Sequence, residues 1–128
     1  MRLLLDTHSF LWFVLDDPKL SATAKAAIED AANDIEISSA SYWEIAIKIA
    51  LGNYRLPQPY QQFMEQQLAA NQFHILQIKI RHTALLITMP HHHKDPFDRL
   101  LVAQALCERV SIISGDPRLD ADGVTRLW

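Results

Sequence analysis

The sequence of 128 residues has little cysteine, little glycine and no long hydrophobic run. Its one cysteine, Cys107, cannot form an internal disulfide, which excludes a disulfide-stabilised secreted domain and favours a reducing cytoplasm. The three glycines and the scattered prolines mark no linker, so we expect a single domain over residues 1–128. The longest early apolar run, residues 10–15, is far shorter than the roughly 18 residues of a membrane span. We therefore expect no contact with a membrane.

Positive charge is also scarce. The sequence contains 12 lysines and arginines against 15 aspartates and glutamates, a formal net charge of -3. A strongly basic surface, which drives non-specific binding to nucleic acids, is therefore excluded. Any nucleic acid must be bound locally or through bound cations. The apolar stretch at the N-terminus is interrupted by Asp6 after three leucines, so we expect no signal peptide.

What the sequence does contain is an alternation of short aliphatic or β-branched segments with longer helical patterns. This alternation is typical of an α/β fold, and the nearly all-apolar early strands indicate a parallel sheet covered on both faces. The predicted strands are residues 2–5, 35–38, 73–78, 110–114 and 124–127. The predicted helices are residues 8–15, 21–32, 41–51, 60–70, 80–88 and 97–108.

Three acidic residues fall where predicted strands end. Asp6 closes the first strand, Glu44 lies in the first turn of the helix after the second strand, and Asp116 follows the strand 110–114. In an open parallel sheet, ligands bind beyond the carboxyl ends of the strands. The three carboxylates are therefore candidates for one shared site.

A fourth acid, Asp98, lies in line with an apolar helix face, because Leu101, Val102 and Ala105 follow it at spacings of three, four and seven. Clustered carboxylates repel one another and persist where a cation neutralises them. Magnesium takes hard oxygen ligands together with substrate phosphate oxygens. The four acids thus predict a magnesium site that binds an anionic substrate through the metal.

Helix capping is an alternative explanation for the same acids. Asp95 before Pro96 fits an N-cap with proline at the first helical position, and Asp116 before a proline fits another. The residues from Ser41 to Glu44 fit a capping box. From their positions alone, it is equally open whether the four acids are separate helix caps or ligands of one shared site.

Four motifs follow one another in order over essentially the whole chain. They are LLLDTH at residues 3–8, SSASYWEIAIK at 38–48, PHHHKDPFDR at 90–99 and SGDP at 114–117. In this combination the chain resembles the PIN domain and, more narrowly, the toxin ribonucleases of VapBC-type toxin-antitoxin modules. The resemblance implies a three-layer α/β/α fold around a central parallel sheet.

The resemblance also implies an endoribonuclease that depends on Mg²⁺ or Mn²⁺ and hydrolyses RNA with a metal-activated water, with one or two ions left open. The residues that match the catalytic and metal-binding acids of the family are Asp6, Glu44, Asp98 and Asp116. The residues that match supporting positions are Thr7, Ser114 and Asp95. The fourth acid often acts through water in the family, and the segment before it is here a serine and a glycine.

Cations near the acids in sequence are candidates for binding RNA phosphates. They are Lys48, Lys94, Arg99 and Arg118. For Lys48, an ion pair with Glu44 across one helical turn is the alternative. The resemblance implies two protein partners, a cognate antitoxin and a second copy of the chain, and apolar residues on several faces of the segments 11–15 and 43–51 suit such surfaces.

Other readings of these residues remain open. The run from His91 to His93 suits a loop beside the crevice better than a zinc site, because zinc motifs space their ligands. A haloacid-dehalogenase-like phosphatase requires a second Asp two residues after the first, and this chain has His8 there. A catalytically silent PIN-like module that only binds a partner is the third function, and the presence of all four acids argues against it.

Overall fold

The computed structural model describes residues 1–92 and 94–128, and it confirms the predicted α/β class with a parallel sheet. Strands and helices alternate through most of the chain. In order they are β1 Arg2–Leu5, α1 Thr7–Val14, α2 Ala22–Glu29, β2 Asp34–Ser38, α3 Ser39–Ala50, α4 Tyr60–Ala70, β3 His74–Leu76, α5 Ile80–Thr88, α6 Pro96–Glu108, β4 Ser111–Ile113, a 3₁₀ helix Pro117–Asp122 and β5 Arg126–Leu127.

The sheet has five strands in the order β3-β2-β1-β4-β5, and every pair is parallel. The chain therefore builds outward from β1 through β2 to β3, and then returns to the other side of β1 to add β4 and β5. The order reverses between β1 and β4. In open parallel sheets the crevice at such a reversal, beyond the carboxyl ends of the strands, is the usual ligand site.

Helices cover both faces of the sheet, and the side chains of β1 show how the layers divide. Leu3 and Leu5 join one apolar cluster with Phe10, whereas Leu4 joins a second cluster with Leu101. Successive strand residues point to opposite faces, so the two clusters are the two sides of one sheet. All three leucines of β1 are fully buried, which explains why the strand shows no polar alternation.

Several local predictions agree with the structure. Asp95 is the N-cap of α6 and accepts hydrogen bonds from the N–H groups of Phe97 and Asp98, with Pro96 at the first helical position. Gly52 has φ +77°, the left-handed conformation expected after the end of α3. These features depend on neighbouring residues only, so the sequence carries enough information to predict them.

Other local predictions are wrong. Ser41 does not cap α3, because the helix begins earlier and Ser38 is its N-cap, accepting from the N–H of Ala40. The helix predicted for residues 21–32 stops at Glu29, since the side chain of Asp30 accepts the N–H of Ala32 and forms a turn. The 3₁₀ helix after β4 was absent from the predicted helices, although its N-cap was predicted correctly at Asp116. Within the described residues, no helix combines the length and apolar character that crossing a membrane requires.

Candidate active site

Asp6 stands at the point where the strand order reverses. Its backbone N–H donates to the carbonyl of Ile113 at the end of β4, 3.1 Å away, and the Ser9 hydroxyl donates to the same carbonyl. The Asp6 carboxylate is the N-cap of α1, accepting the Ser9 N–H through Oδ1 at 2.8 Å. The carboxylate is only 8% exposed, and this bond fixes its orientation at the edge of the crevice.

Thr7, Ser41 and Glu44 form a buried hydrogen-bonded chain beside Asp6. The Thr7 hydroxyl donates to Glu44 Oε1 at 2.6 Å and lies 2.9 Å from the Ser41 hydroxyl. Because a threonine hydroxyl has one proton, the Ser41 hydroxyl must donate to Thr7. All three side chains are buried, so the chain links α1 to α3 and holds Glu44 in place.

Glu44 is held from the other side by a cation. Lys48, one helical turn further along α3, places its Nζ 3.1 Å from Glu44 Oε2. The structure thus contains the ion pair that the sequence offered as the alternative to an RNA contact. The Glu44 carboxylate is buried, and a cation beside it compensates the cost of removing its charge from water.

Asp98 is half-buried in the first turn of α6, and the apolar stripe predicted below it is present. Leu101, Val102 and Ala105 are all buried in the same core cluster. Asp95, which caps the helix, is exposed. The two aspartates therefore differ as the sequence suggested, one serving the helix end and the other following the buried face.

Asp116 forms a bidentate ion pair with Arg118. The Arg118 Nη2 lies 2.8 Å from Asp116 Oδ2, and Nε lies 3.0 Å from Oδ1. The Asp116 side chain also caps the 3₁₀ helix by accepting the Arg118 N–H, and the Asp116 N–H donates to the buried Ser114 hydroxyl. Gly115 is required between them, since a Cβ there would lie 2.9 Å from the Trp128 ring.

The charge on Arg118 shows that the acids of α6 and of the 3₁₀ helix share one region. Its pKa is raised above its ordinary value, first by the hydrogen bond with Asp116 and then by the negative charge of Asp116, Asp98 and Asp95. Arg118 is exposed and faces all three carboxylates. The negative potential that the sequence predicted at this edge of the sheet is therefore present.

The chemistry of these acids suits a divalent metal ion, although the site is not preassembled. Within residues 1–92 and 94–128, no three His, Cys, Asp or Glu side chains form a group ready to hold a metal. Glu44 and Asp116 instead pair with Lys48 and Arg118. The donors are all carboxylate oxygens, the ligands that Mg²⁺ and Mn²⁺ prefer.

Arg99 donates hydrogen bonds to backbone carbonyls, whereas the sequence predicted that it binds RNA phosphates. It is 7% exposed, and its guanidinium donates to the carbonyls of Pro90, Leu86 and Met89. These carbonyls lie at the end of α5 and the start of the segment that leads to Asp95. The arginine therefore ties α5 to α6, and this placement favours a structural role over a phosphate contact.

The remaining predicted residues lie along the segment before α6. Lys94 is exposed and borders a hollow of about 500 Å³ that Glu44 and Lys48 also line. His91 and His92 are exposed, and His93 lies outside the described residues. Ser41 and Ser9 are the site residues that the sequence did not reveal. Ser41 was interpreted as part of a capping box, and Ser9 lay within the helix predicted for residues 8–15, so no local pattern revealed their tertiary partners.

The chain matches a known protein family. A sequence profile of the PIN domain matches residues 3–122. The chain belongs to the PIN domain family. PIN domains are generally nucleases, which hydrolyse phosphodiester bonds. Membership of this family therefore argues against the haloacid-dehalogenase-like phosphatase. No curated protein sequence matches the chain significantly.

Solved structures share this PIN fold over nearly their full length. VapBC2 from Rickettsia felis, bound to a DNA fragment from its promoter, superposes with a TM-score of 0.74 at 15% identity, covering 98% of this chain and 97% of that chain. FitAcB from Neisseria gonorrhoeae has a TM-score of 0.66 at 18% identity, covering 97% and 95%. VapBC-1 from nontypeable Haemophilus influenzae has a TM-score of 0.66 at 18% identity, covering 98% and 96%. At these identities the likeness shows the fold.

Proposed function

We propose that this PIN domain is an RNA endonuclease that requires Mg²⁺ or Mn²⁺ and acts as the toxin of a type II toxin-antitoxin pair. One observation carries the proposal. The buried Glu44 accepts a hydrogen bond from the hydroxyl of Thr7, the residue that follows Asp6. This bond connects the segments that carry the first two acids of the predicted site. Structural support of this kind suits carboxylates that bind metal.

Each acid has a role that follows from its surroundings. Asp6 and Glu44 are buried and fixed by hydrogen bonds, so they hold the ion in a defined position. Asp98 lies in the first turn of α6 and is the third proposed ligand. Asp116 is already occupied by the ion pair with the exposed Arg118, so it suits a contact through water.

When bound, a divalent ion lowers the pKa of a coordinated water and stabilises the charge on the phosphate oxygens. Asp6, Glu44 and Asp98 would hold the ion. With it, attack by water would form a new bond to phosphorus while the bond to the leaving ribose oxygen breaks and that oxygen takes up a proton. Lys48 is the candidate for binding a phosphate oxygen of the strand, because its Nζ lies 3.1 Å from the Glu44 carboxylate. No side chain needs to act as nucleophile.

Two protein partners belong to the same proposal. The similar structures VapBC2 and VapBC-1 carry the name of the VapBC toxin-antitoxin modules. VapBC2 from Rickettsia felis is bound to a DNA fragment from its promoter. By analogy, we propose a cognate antitoxin that binds DNA and covers the acidic crevice. The predicted homodimer remains a prediction, which sedimentation of the purified chain at several concentrations tests directly.

The deciding experiment compares the wild type with Asp6→Asn and Asp34→Asn. Asp34 is exposed at the beginning of β2, at the opposite end of the sheet, so its variant removes the same charge away from the site. We expect wild type and Asp34→Asn to arrest growth on expression and to cut cellular RNA in Mg²⁺ or Mn²⁺. Asp6→Asn is expected to lose both activities while it keeps the thermal stability of the fold.

Two results would overturn the proposal. In the first, metal-loaded wild type free of any partner cuts no cellular RNA, which leaves the chain as a binding module. In the second, Asp6→Asn cuts RNA as fast as the wild type, which moves the active site elsewhere. Addition of EDTA to the wild type tests the metal requirement in the same assay, and loss of cleavage that excess Mg²⁺ restores is the expected outcome.

A further inference from the structure

Trp43 is an exposed tryptophan beside the active-site acids. Its residue is 66% exposed, whereas its neighbour Glu44 is 4% exposed. The other two tryptophans, Trp12 and Trp128, are half-buried and pack against each other with ring centroids 5.9 Å apart. An indole left in water forgoes the stabilisation that burial gives, and its position next to Glu44 makes its ring available to a ligand bound at the site.

The Trp43 ring contacts Phe97 across the two helices that carry acids. The ring centroids lie 5.5 Å apart at an interplanar angle of 75°, an edge-to-face arrangement. Trp43 on α3 directly precedes Glu44, and Phe97 on α6 directly precedes Asp98. The aromatic pair is therefore built into the same helical turns as the candidate metal ligands and cannot be far from them.

A hollow that Phe97 lines has apolar and charged walls. Its volume is about 500 Å³, a size at which proteins bind groups as large as a nucleotide (about 300 to 1,000 Å³). Besides apolar side chains, the lining contains two ammonium groups and two carboxylates, from Lys48, Lys94, Glu44 and Asp95. A flat apolar group on the aromatic pair therefore lies next to ammonium groups that a flanking phosphate can contact.

We infer that the Trp43–Phe97 pair binds an unpaired nucleobase of the RNA strand next to the phosphate that is cut. This inference rests on the proposed function. A base stacks on an aromatic face with about 1 to 3 kcal/mol, and the two lysines attract the flanking phosphates. Bases within a duplex do not expose their faces, so the pair directs the enzyme to single-stranded loops. An apolar segment of a protein partner is the competing occupant.

The test measures binding of RNA separately from cleavage. A short fluorescein-labelled single-stranded RNA of mixed sequence is titrated with protein carrying Asp6→Asn, so that it is not cut, and its anisotropy is recorded. Trp43→Ala, Phe97→Ala and Trp43→Phe are compared in this background. Ile87→Ala is the matched control, because Ile87 is 80% exposed on α5 and does not line the hollow. Thermal unfolding verifies that each variant is folded.

We expect Trp43→Ala to weaken binding of the single strand by about 5- to 100-fold, the loss of one stacked base. Trp43→Phe restores part of the affinity, Phe97→Ala causes a smaller loss, and Ile87→Ala matches its parent. The same RNA annealed to its complement binds weakly to all variants, with no dependence on Trp43. In the cleaving parent, Trp43→Ala raises KM more than it lowers kcat.

Three results would overturn the inference. In the first, Trp43→Ala and its parent bind the single strand equally well. In the second, Trp43→Ala loses the same affinity for the single strand and for the duplex. In the third, Trp43→Ala binds RNA unchanged but no longer binds a protein partner. Failure of the proposed function gives a different result, since wild type with intact Trp43 then cuts no RNA at all. The two failures are therefore distinguishable.

Discussion

The Thr7 hydroxyl donates a hydrogen bond of 2.6 Å to Oε1 of Glu44, across 37 positions of sequence. The bond holds the Glu44 carboxylate in position, and Thr7 directly follows Asp6, which is itself a candidate metal ligand. A change at Thr7 therefore acts on both acids. The Ser41 hydroxyl, 2.9 Å from the Thr7 hydroxyl, completes the chain.

Thr7→Val removes this hydroxyl while it preserves the shape of the side chain. Glu44 loses a donor and Ser41 loses an acceptor in a buried place, so the free energy of unfolding falls by about 1 to 3 kcal/mol. Cleavage of RNA falls by about 10- to 100-fold, as for other residues that support metal ligands. Urea unfolding and initial rates measure the two effects. Thr7→Ser retains the hydroxyl and is the control. Wild-type rates in Thr7→Val would contradict this role.

Arg118→Met removes the cation that now neutralises Asp116. The pair is exposed on the arginine side, where solvent screens it, so its loss raises the affinity for Mn²⁺ only modestly, by up to about 5-fold. Isothermal titration calorimetry with the metal alone measures the change. Arg109→Met is the control, since Arg109 is exposed at the opposite end of α6 from Asp98. Lower affinity in Arg118→Met would show that the arginine assists the metal.

Arg99→Met removes the guanidinium hydrogen bonds to three carbonyls, of which the Leu86 carbonyl still accepts the Met89 N–H. The guanidinium bonds to Pro90, Leu86 and Met89 are partly or fully buried, so the free energy of unfolding falls by about 2 to 3 kcal/mol. Lysine cannot reproduce the planar fork, and Arg99→Lys recovers little of the loss. Limited proteolysis tests the location of the effect, because the segment before Asp95 becomes the first site of cutting. If RNA binding falls while stability is unchanged, the original phosphate-binding prediction for Arg99 is the better one.

Glu108 makes stability depend on pH far from the active site. Hydrogen bonds from His82 and from Arg81 lower its pKa from 4.5 to about 2, and Arg2 adds a further bond. The His82 Nδ1 accepts the Lys79 N–H, so Nε2 carries the proton that faces Glu108.

A carboxylate with a lowered pKa in the folded state stabilises the fold above its unfolded pKa, and this contribution is lost as the pH falls from about 4.5 toward 2. Chemical unfolding at several pH values measures this slope. Glu108→Gln keeps an acceptor for His82 but has no charge to titrate, so its stability changes less over that interval. Parallel slopes for the two proteins would show that Glu108 does not cause the dependence.

The fold could be predicted because its signals are local. The all-apolar β1 indicated a buried parallel strand, and helices α4 and α5 have the bounds that their patterns predicted. Asp95 was predicted as a cap, and its carboxylate accepts from the first turn of α6. Errors occurred where a side chain resembled a cap, as at Ser41, because a serine near a helix start does not reveal whether its hydroxyl bonds to the backbone or to a distant residue.

The sequence by itself determined the order of strands and helices, the placement of four acids near strand or helix ends, and the shortage of positive charge. Only the tertiary structure decided what each side chain contacts. It joined Thr7 to Glu44, turned Lys48 and Arg118 to the acids, buried Arg99 on carbonyls and left Trp43 exposed. Secondary structure follows from residues a few positions apart, whereas these contacts form between distant segments that meet only when the helices pack on the sheet.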